Sequence, residues 1–430
     1  MRNEAKIMSG KDGKRRLLTP RLRFPEFREE WCSQALGAMA SIIKEKAGDK
    51  KCTLMSIMTG VGLISQVDKF GKEIAGDQYK NYIVIRNNDF AYNKSATKDY
   101  PQGFIALYSG TEIAAVPNSI FTCFKIQAEK IVPVYLNYLF LCNFHGRCLK
   151  KYITVGARAH GALSIDDDDL LSLPVPYPKG VSPSDEQQKI ADCLSSLDES
   201  ITAETNKLDA LKAHKNGLLK QLFPLEGETL PALRFPEFRD AGEWEEKPLM
   251  AVADYENGKA YEPHIVEGGK YIVVNSRFIS TDGAIKKYSN EPMCVAKSGD
   301  ILMVLSDLPN GRALAKTYYV DTDDLYAVNQ RVCRLEPHSA NGKFLCLLLS
   351  RHPKLLAFDD GKNQTHLKKD SVLQCLLRLP LSFDEQQKIA DCLSSLDELI
   401  TAQTQKIELL TSHKKGLMQQ LFPVLDEAKA

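Results

Sequence analysis

The sequence lacks a long hydrophobic segment, since no run approaches the about eighteen apolar residues that a membrane-spanning helix needs. We therefore expect no membrane partner and a cytoplasmic location. The 11 cysteines form no C-x-x-C pair, which argues against a zinc site or a disulfide framework and favours buried free thiols. The formal net charge is only +1, so charge alone neither requires nor excludes a nucleic-acid partner.

Catalytic motifs are lacking as well. There is no G-x-x-x-x-G-K-[ST] phosphate loop and no G-x-G-x-x-G motif after a strand. An Asn-Pro-Pro-aromatic motif, with which amino-methyltransferases hold a flipped adenine, is also absent. The acidic run 166–169 predicts the start of a short helix, where carboxylates suit the positive end of the helix dipole, in preference to a metal site. We predict no catalytic residue, no metal and no cofactor in this chain.

The chain does contain an internal repeat. The fifteen residues DEQQKIADCLSSLDE at 185–199 recur letter for letter at 384–398, and LRFPEF at 22–27 returns at 233–238. The chain is therefore one unit written twice in tandem, with a fixed start, a fixed end and dissimilar contents. This arrangement predicts a protein that recognises two different things at a set distance.

The repeated segments predict two long helices. Their apolar residues follow in steps of four and three, which is the heptad pattern of helices that pair. Asp185 and Asp384 are the predicted N-caps, with Gln188 and Gln387 reaching back to them. The predicted seam and partner-contact residues are Ile190, Leu194, Leu197, Ile201, Leu208 and Leu211 in the first helix, and Ile389, Leu393, Leu396, Ile400, Ile407 and Leu410 in the second.

Polar residues interrupt both seams at matching places. Glu204 and Gln403 occupy one d position, and Lys215 and Lys414 occupy one a position. Because polar seam residues fix register and partner number, they favour pairing of these two helices with each other. The alternative is that each helix packs only on its own domain. A pseudo-twofold relation between the copies predicts an antiparallel coiled coil, although the heptads alone leave a parallel pair open.

Between the repeats, apolar runs alternate with turn signals, as in 82–92 and 298–304, and predict strands joined by hairpins. Short helices are expected over 134–152 and 342–358. The predicted fold class is α/β (α+β), with two mixed α/β domains separated by two long helices. The predicted boundaries are a flexible leader at 1–19, domains at 20–180 and 225–380, helices at 181–224 and 381–424, and a tail at 425–430.

The variable regions carry clusters of side chains suited to DNA. Amides of Asn and Gln bind adenine edges and Arg binds guanine edges through paired hydrogen bonds, while Lys neutralises phosphates. Each cluster alone fits a solvated loop equally well, but clusters at comparable places in both halves favour DNA reading. The predicted DNA-binding residues are Lys94, Ser95, Lys98, Arg158, His160, Asn310, Arg312, Asn329, Gln330, Arg331, Asn363, Gln364, His366, Lys368 and Lys369.

The helices that open with E-Q-Q-K-I-A, and the LRFPEF entry followed by Trp31 or Trp244, closely resemble the specificity subunit of type I restriction–modification enzymes over about residues 20–424. This resemblance implies a non-catalytic subunit whose two variable domains are target-recognition domains. It implies binding to an asymmetric bipartite site in double-stranded DNA. It also implies two modification subunits, which methylate adenine N6 with S-adenosylmethionine, and restriction subunits, which use ATP and Mg to translocate and cut DNA.

Two other functions would share parts of this sequence pattern. A fused restriction–methylation enzyme, or a fragment of one, would share such recognition modules, but the absence of a methyltransferase motif argues against it. A coiled-coil adaptor that binds only proteins would share the helices. DNA binding in the presence of modification subunits separates the adaptor from the specificity subunit.

Overall fold

The computed structural model describes residues 19–58, 60–127, 129, 131–152, 154–155, 163–179, 183–308, 311–359 and 361–423, so the predicted leader (apart from Thr19) and tail lie outside the described residues. The chain forms two compact units. Unit 1 comprises Met1–Thr205 and Lys406–Ala430, and unit 2 comprises Asn206–Gln405. Because these boundaries fall inside the two long helices, each unit contains the first part of one helix and the last part of the other.

Unit 1 is built on two four-stranded sheets. One has the strand order β2-β9-β6-β7, and the other has the order β4-β3-β8-β5, in which β3 and β8 are parallel. Two further antiparallel pairs join β1 to β12 and β10 to β11. The strands are β1 (Trp31–Ala35), β2 (Ala40–Ile42), β3 (Thr53–Met58), β4 (Gly62–Ser65), β5 (Ile83–Ile85), β6 (Asp89–Asn93), β7 (Phe104–Leu107), β8 (Ala114–Val116), β9 (Phe121–Ile126), β10 (Thr154–Val155), β11 (Leu163–Ser164) and β12 (Pro174–Pro178).

The short helices of unit 1 pack on both sheets, and the first long helix follows them in the chain. The helices are α1 (Gln66–Phe70), α2 (Pro133–Leu141), α3 (Phe144–Leu149), α4 (Asp167–Leu171) and the long α5 (Pro183–Leu222). The predicted single helix over 134–152 is wrong, because Asn143 adopts a left-handed φ of 54° and separates α2 from α3. The acidic run does begin a short helix, α4, with Asp166 at its N-cap.

Unit 2 repeats the strand order of the first sheet of unit 1, whereas its second sheet has a different order. Its four-stranded sheets have the orders β14-β22-β18-β20 and β15-β17-β16-β21, and β16 and β21 are parallel. Its two-stranded pairs are β13 with β24 and β19 with β23. The strands are β13 (Glu245–Pro248), β14 (Ala253–Asn257), β15 (Ile265–Val266), β16 (Tyr271–Val274), β17 (Tyr288–Ser289), β18 (Ile301–Val304), β19 (Ser306–Asp307), β20 (Thr317–Tyr319), β21 (Tyr326–Val328), β22 (Val332–Pro337), β23 (Thr365–His366) and β24 (Leu376–Leu379).

The helices of unit 2 are α6 (Ser276–Ser280), α7 (Gly342–Leu349), α8 (Pro353–Leu356), α9 (Lys369–Leu373) and the long α10 (Phe383–Leu421). The predicted helix over 342–358 is divided at Arg351, whose φ of 55° is left-handed. Mixed sheets and helices in two tandem domains confirm the predicted fold class. No helix in the described ranges combines the length and apolarity that crossing a bilayer requires. All 11 cysteines lie in described positions as free thiols.

The predicted N-caps of the long helices are wrong. Both helices begin before Asp185 and Asp384, which therefore lie inside the first turn. In α10, the backbone N–H of Glu385 instead donates to the Ser382 hydroxyl at 3.4 Å. The amide of Gln387 does not reach back, because its Nε2 donates forward to Asp391 at 2.7 Å. In α5, Gln188 likewise donates forward, at 2.7 Å, to the carboxylate one turn later.

The fixed start and fixed end of the repeat meet in each unit. In unit 1, Arg23 donates two 2.7 Å hydrogen bonds to the Glu186 carboxylate, whose side chain is 2% exposed. In unit 2, Arg234 makes the same two 2.7 Å bonds to Glu385, which is 1% exposed. The paired bonds compensate a carboxylate that would otherwise be buried alone. The two repeated motifs therefore contact each other in both units, which gives a physical reason for their identity in the two copies.

The next residue of the motif positions a second helix in each unit. The backbone N–H of Val132, just before α2, donates to the Gln187 amide oxygen at 2.9 Å. In unit 2, the N–H of Asn341, just before α7, donates to Gln386 at 2.8 Å. Because the first N–H groups of a helix lack partners within the helix, a fixed external acceptor sets the place where the helix starts.

Within each unit the long helices run antiparallel. In unit 1, Lys414 of α10 binds Asp198 of α5, and Lys406 binds Glu204. In unit 2, Lys215 of α5 donates to both carboxylate oxygens of Asp397 in α10, each at 2.6 Å. The Lys414 and Lys215 pairs occupy equivalent places in the repeat. The seam lysines thus pair with acids of the facing helix, as the antiparallel prediction requires.

The apolar seam is most deeply buried where each helix begins. Ile190 and Leu194 lie in the core of unit 1, and Ile389 and Leu393 lie in the core of unit 2, each at most 2% exposed. Later seam positions are less enclosed. Leu208 and Leu396 are buried, whereas the following are half-buried: Leu197, Ile201, Leu211, Ile400, Ile407 and Leu410.

The Arg23–Glu186 pair predicts a large stability effect in unit 1. Arg23→Met leaves a buried carboxylate without its partner, so we expect the free energy of unfolding to fall by about 3 kcal/mol. Urea unfolding is followed by the fluorescence of Trp31 in a Trp244→Phe background, because the chain has only 2 tryptophans. Lys189→Met is the matched control, since its pair with Glu26 is about half exposed on both sides and should contribute less than about 1 kcal/mol. Equal losses in the two variants would contradict the role of the buried pair.

Candidate nucleic-acid interface

In each unit, the loop after one central strand meets the segment before a short helix. In unit 1, the N–H of Leu163, ahead of α4, donates to the carbonyl of Lys94, which follows β6, at 2.8 Å. In unit 2, the N–H of Leu367, ahead of α9, donates to the carbonyl of Leu305, which follows β18, also at 2.8 Å. The same backbone junction therefore brings two of the predicted DNA-binding clusters together in unit 2.

The third predicted cluster of unit 2 lies at the same junction. The N–H of Leu305 donates to the carbonyl of Arg331 at 2.9 Å, so the turn at 329–331 borders the strand end. Strands β19 and β23 pair across the junction, and the Gln364 amide donates to the Ser306 hydroxyl at 3.0 Å. Residues far apart in sequence thus form one surface, which we call the unit 2 junction: Asp307, Leu308, Gly311–Ala313, Asn329–Arg331 and Gly361–Lys369.

Two carboxylates organise the loops of the unit 2 junction. Asp307 accepts from the N–H of Leu308 at 2.8 Å through Oδ1 and from the N–H of Ala313 at 2.7 Å through Oδ2. Asp359 accepts from the N–H of Gly361 at 3.0 Å and from the Thr365 hydroxyl at 3.1 Å. Each carboxylate closes a turn through its own backbone neighbours, which is the usual role of Asp in loops.

Most of the predicted readers in unit 2 are exposed, and one is not. Asn329 is 2% exposed and its amide donates to Glu262 at 3.1 Å, so this side chain supports the turn and has no accessible edge for a base. Asn310 lies outside the described residues. The exposed predicted residues are Arg312, Gln330, Arg331, Asn363, Gln364, His366, Lys368 and Lys369.

Lys369 is supported by an aromatic ring. Its Nζ lies 5.5 Å from the ring centroid of Tyr255, which is a cation–π contact. Burial raises the pKa of the Tyr255 phenol, so the ring stays neutral beneath the ammonium group. Lys368, beside it, occupies the N-cap of α9 with an extended backbone. Both ammonium groups lie at the edge of the junction, where they suit phosphates.

The corresponding surface of unit 1 is smaller in the described residues. The buried Asn93 accepts from the N–H of Ser95 at 2.9 Å and so turns the chain after β6. Lys94 and Ser95 are half-buried, and Lys98 is exposed. Arg158 and His160, the other predicted readers of this unit, lie outside the described residues.

Sequence reasoning missed the residues that shape the unit 2 junction. Asp307, Asp359 and Arg351 are not among the predicted site residues, because they bind the protein backbone and the prediction rests on side chains that suit DNA. The sequence does carry a signal for Asp307, since it stands two residues before Pro-Asn-Gly, and these residue types are typical of turns. No comparable signal marks Arg351, whose guanidinium donates to the carbonyl of Arg312 at 2.6 Å only because the fold brings them together.

Across the described ranges, no group of three or more His, Cys, Asp or Glu side chains is arranged to hold a metal ion. The carboxylates of the unit 2 junction are engaged with backbone and hydroxyl donors. The arrangement is therefore one of exposed amides, guanidinium groups and ammonium groups on a fixed backbone, which suits binding to base edges and phosphates.

Two alike mixed α/β units, framed by one repeated helix, define the class of protein. The family model for the type I restriction modification DNA specificity domain matches residues 58–213 and 241–412, which together exceed half of the chain. The chain therefore belongs to the family of type I restriction–modification specificity subunits. The resemblance stated from the two repeated motifs is confirmed.

Known relatives agree with this family. The chain is 26% identical over 299 residues to the type I restriction enzyme MjaVIII specificity subunit of Methanocaldococcus jannaschii, covering 65% of this chain and 68% of the relative. It is 24% identical over 328 residues to the putative MjaX specificity subunit of the same organism, covering 74% of each. It is 28% identical over 177 residues to the HindI specificity subunit of Haemophilus influenzae, covering 39% of this chain and 38% of the relative.

Solved structures share the fold. The S subunit of a type I restriction–modification system from M. genitalium superposes with a TM-score of 0.60 at 16% identity, over 95% of this chain and 100% of that chain. A chain from a structural study of assembly and conformational transition of the type I system gives a TM-score of 0.54 at 16% identity, over 91% of this chain and 97% of that chain. At these identities the likeness concerns the fold.

The unit 2 junction predicts two kinds of variant. Arg312→Ala or Gln364→Ala should relax the preference at one base pair, at a cost of about 1–3 kcal/mol, because each removes a side chain that is predicted to contact a base edge. Lys368→Ala or Lys369→Ala should weaken binding evenly across sequences and flatten its salt dependence. Binding of the full chain, with its partner subunits, to a panel of single-base variants at several salt concentrations measures both effects. Uniform loss from all four variants would contradict the assignment of Arg312 and Gln364.

Proposed function

We propose that the chain is the DNA-binding specificity subunit of a type I restriction–modification complex. Each unit reads one part of an asymmetric bipartite site in double-stranded DNA, and the chain itself performs no catalysis. The observation that carries this proposal is the recurrence of one backbone junction in both units with different side chains around it: Lys94 and Lys98 in one, Arg312 and Gln364 in the other. A shared frame with different readers suits two half-sites of different sequence.

The long helices have a separate role in this proposal. They set the distance between the half-sites, and they offer the surface that recruits two modification subunits. The modification subunits supply S-adenosylmethionine chemistry at adenine N6, and restriction subunits supply ATP- and Mg-dependent translocation and cleavage. The complex acts on cytoplasmic DNA. The names of the relatives, all specificity subunits, support this assignment.

Selection from random duplex DNA tests the proposed function. The full chain, reconstituted with its modification subunits, is expected to enrich a two-part sequence with an unspecified spacer. Replacing residues 31–180 by the first variable region of a relative should change one part only, since each unit reads its own half-site. A hybrid that changes both parts would contradict independent reading.

The rival functions predict other results. A chain that assembles with the modification subunits but selects no DNA sequence would be an adaptor. S-adenosylmethionine binding by the purified chain alone would identify an enzyme. The control is the same selection with the modification subunits alone, which should show no two-part preference.

Lengthening both helices tests their role as the spacer. The unit boundaries fall between Thr205 and Asn206 in α5 and between Gln405 and Lys406 in α10. Four helical residues inserted at each boundary add about 6 Å, which is one to two base pairs at about 3.4 Å each. The spacer in the selected sequence should change by that amount while the bases of both half-sites stay the same. An active variant with an unchanged spacer would contradict this role.

A further inference from the structure

We propose that Asp307 is a positioning residue for base recognition by unit 2. Its carboxylate holds the loop that carries Arg312, so that the base preference of this unit depends on a side chain bound to its own backbone. The inference rests on the proposed function, because it names how one reading surface is fixed. It concerns this chain's own loop, whose sequence has no counterpart in unit 1.

Both carboxylate oxygens of Asp307 are occupied. Oδ1 accepts from the N–H of Leu308 and Oδ2 accepts from the N–H of Ala313, at 2.8 and 2.7 Å. Hydrogen bonds to an ionised acceptor are stronger than neutral ones. The two bonds join the start of the loop to its end, with Arg312 immediately before the second bond. Arg312 therefore directly precedes Ala313, whose backbone N–H is held by the Asp307 carboxylate.

Gly311 leaves the space that this carboxylate fills. A Cβ at this position would overlap the carboxylate of Asp307, so a larger residue would push the side chain away. The N–H of Gly311 donates to the carbonyl of Leu308 at 2.9 Å and tightens the same turn. Asp307 and Gly311 are thus matched in shape as well as in hydrogen bonding.

A second contact holds the far end of the loop. Arg351 donates from Nη1 to the carbonyl of Arg312 at 2.6 Å, and its own N–H donates to the carbonyl of Ala315 at 2.8 Å. Arg351 lies at the corner between α7 and α8, and α7 packs in the core of unit 2. The backbone of Arg312 is therefore held from within the loop by Asp307 and from the corner between α7 and α8 by Arg351.

A fixed backbone matters because guanidinium recognition is geometric. Two parallel hydrogen bonds to one base require the Arg plane to lie within narrow limits, and a site that is about 1 Å too loose loses that contact. Arg312 is exposed, so its long side chain gains little support from packing. The hydrogen bonds of its backbone supply the order that selective binding needs.

The charge of Asp307 makes the inference separable from simple electrostatics. A carboxylate near DNA repels phosphates, so its neutralisation alone should strengthen binding to every sequence. The positioning role predicts weaker binding to the cognate sequence. In Asp307→Asn, the side-chain amide N–H faces a backbone N–H, so one hydrogen bond is lost and the loop loosens. The two explanations therefore differ in sign at the cognate sequence.

The chain offers a matched control for this substitution. Asp323 also accepts a backbone N–H, that of Ser298, at 2.8 Å. Asp323 lies in the same unit between β20 and β21, and the Ser298 that it binds precedes β18, whereas Asp307 follows the end of that strand. Asp323→Asn therefore makes the same change in charge within unit 2, at a loop that does not carry Arg312.

The experiment compares the full chain, Asp307→Asn, Gly311→Ala and Asp323→Asn, each reconstituted with the modification subunits. Binding is measured to the parent's selected site, to its single-base variants and to random duplex DNA. We expect Asp307→Asn and Gly311→Ala to lower discrimination at one base pair of one half-site by about tenfold, which equals about 1.4 kcal/mol. The affected base pair should be the one that Arg312→Ala affects. Asp323→Asn should keep the parent preference.

The double variant Asp307→Asn/Gly311→Ala distinguishes positioning from general damage. If both single changes loosen the same loop, their effects on discrimination should not add, and affinity for random DNA should be retained. Unchanged preference in Asp307→Asn, or an equal loss at all base pairs of the half-site, would overturn the inference. A parent chain that selects no sequence would instead overturn the proposed function.

Discussion

The buried ion pair between the start and the end of the repeat supports most of the architecture. Arg23 with Glu186 in unit 1, and Arg234 with Glu385 in unit 2, join an entry segment to the first turn of a long helix. A carboxylate at this depth is tolerated only with its partner in place. The adjacent glutamines then fix where α2 and α7 begin. In each unit, a consecutive Glu and Gln at the start of the long helix therefore hold the domain against that helix.

The repeated motifs are identical in the two copies, whereas the sequences between them differ. The arginine–glutamate and glutamine contacts to the long helices use residues that the two copies share. The variable sequences add contacts of their own, such as that of Tyr138 with Asp198, complete a core and present a surface. One sheet of each unit follows the same strand order, in which β14-β22-β18-β20 corresponds to β2-β9-β6-β7, although the sequences differ. New side chains after β6 or β18 alter the junction without disturbing the ion pair. A frame of this kind allows the surface of each unit to diverge while the contacts to the long helices are kept.

Under the proposed function, stability and specificity depend on different polar groups in this molecule. The arginine–glutamate pairs are buried, and their loss costs folding energy. The carboxylates of Asp307 and Asp359 instead bind their own loops near the surface. Their contribution is order in a few residues, which matters for a base contact more than for the fold. Asn329 belongs with them, since its buried amide binds Glu262 and supports the turn that carries Gln330 and Arg331.

The sequence by itself determined the repeat, the two long helices and the mixed α/β class, because letter-for-letter repetition and heptad spacing are local patterns. It also gave the family and most of the exposed polar clusters. Tertiary structure decided the rest. The antiparallel sense follows from Lys414 meeting Asp198 and Lys215 meeting Asp397, which heptads cannot specify. The meeting of 307–313 with 361–369, and the burial of Asn329, depend on pairing between distant strands, and no short-range pattern encodes such long-range contacts.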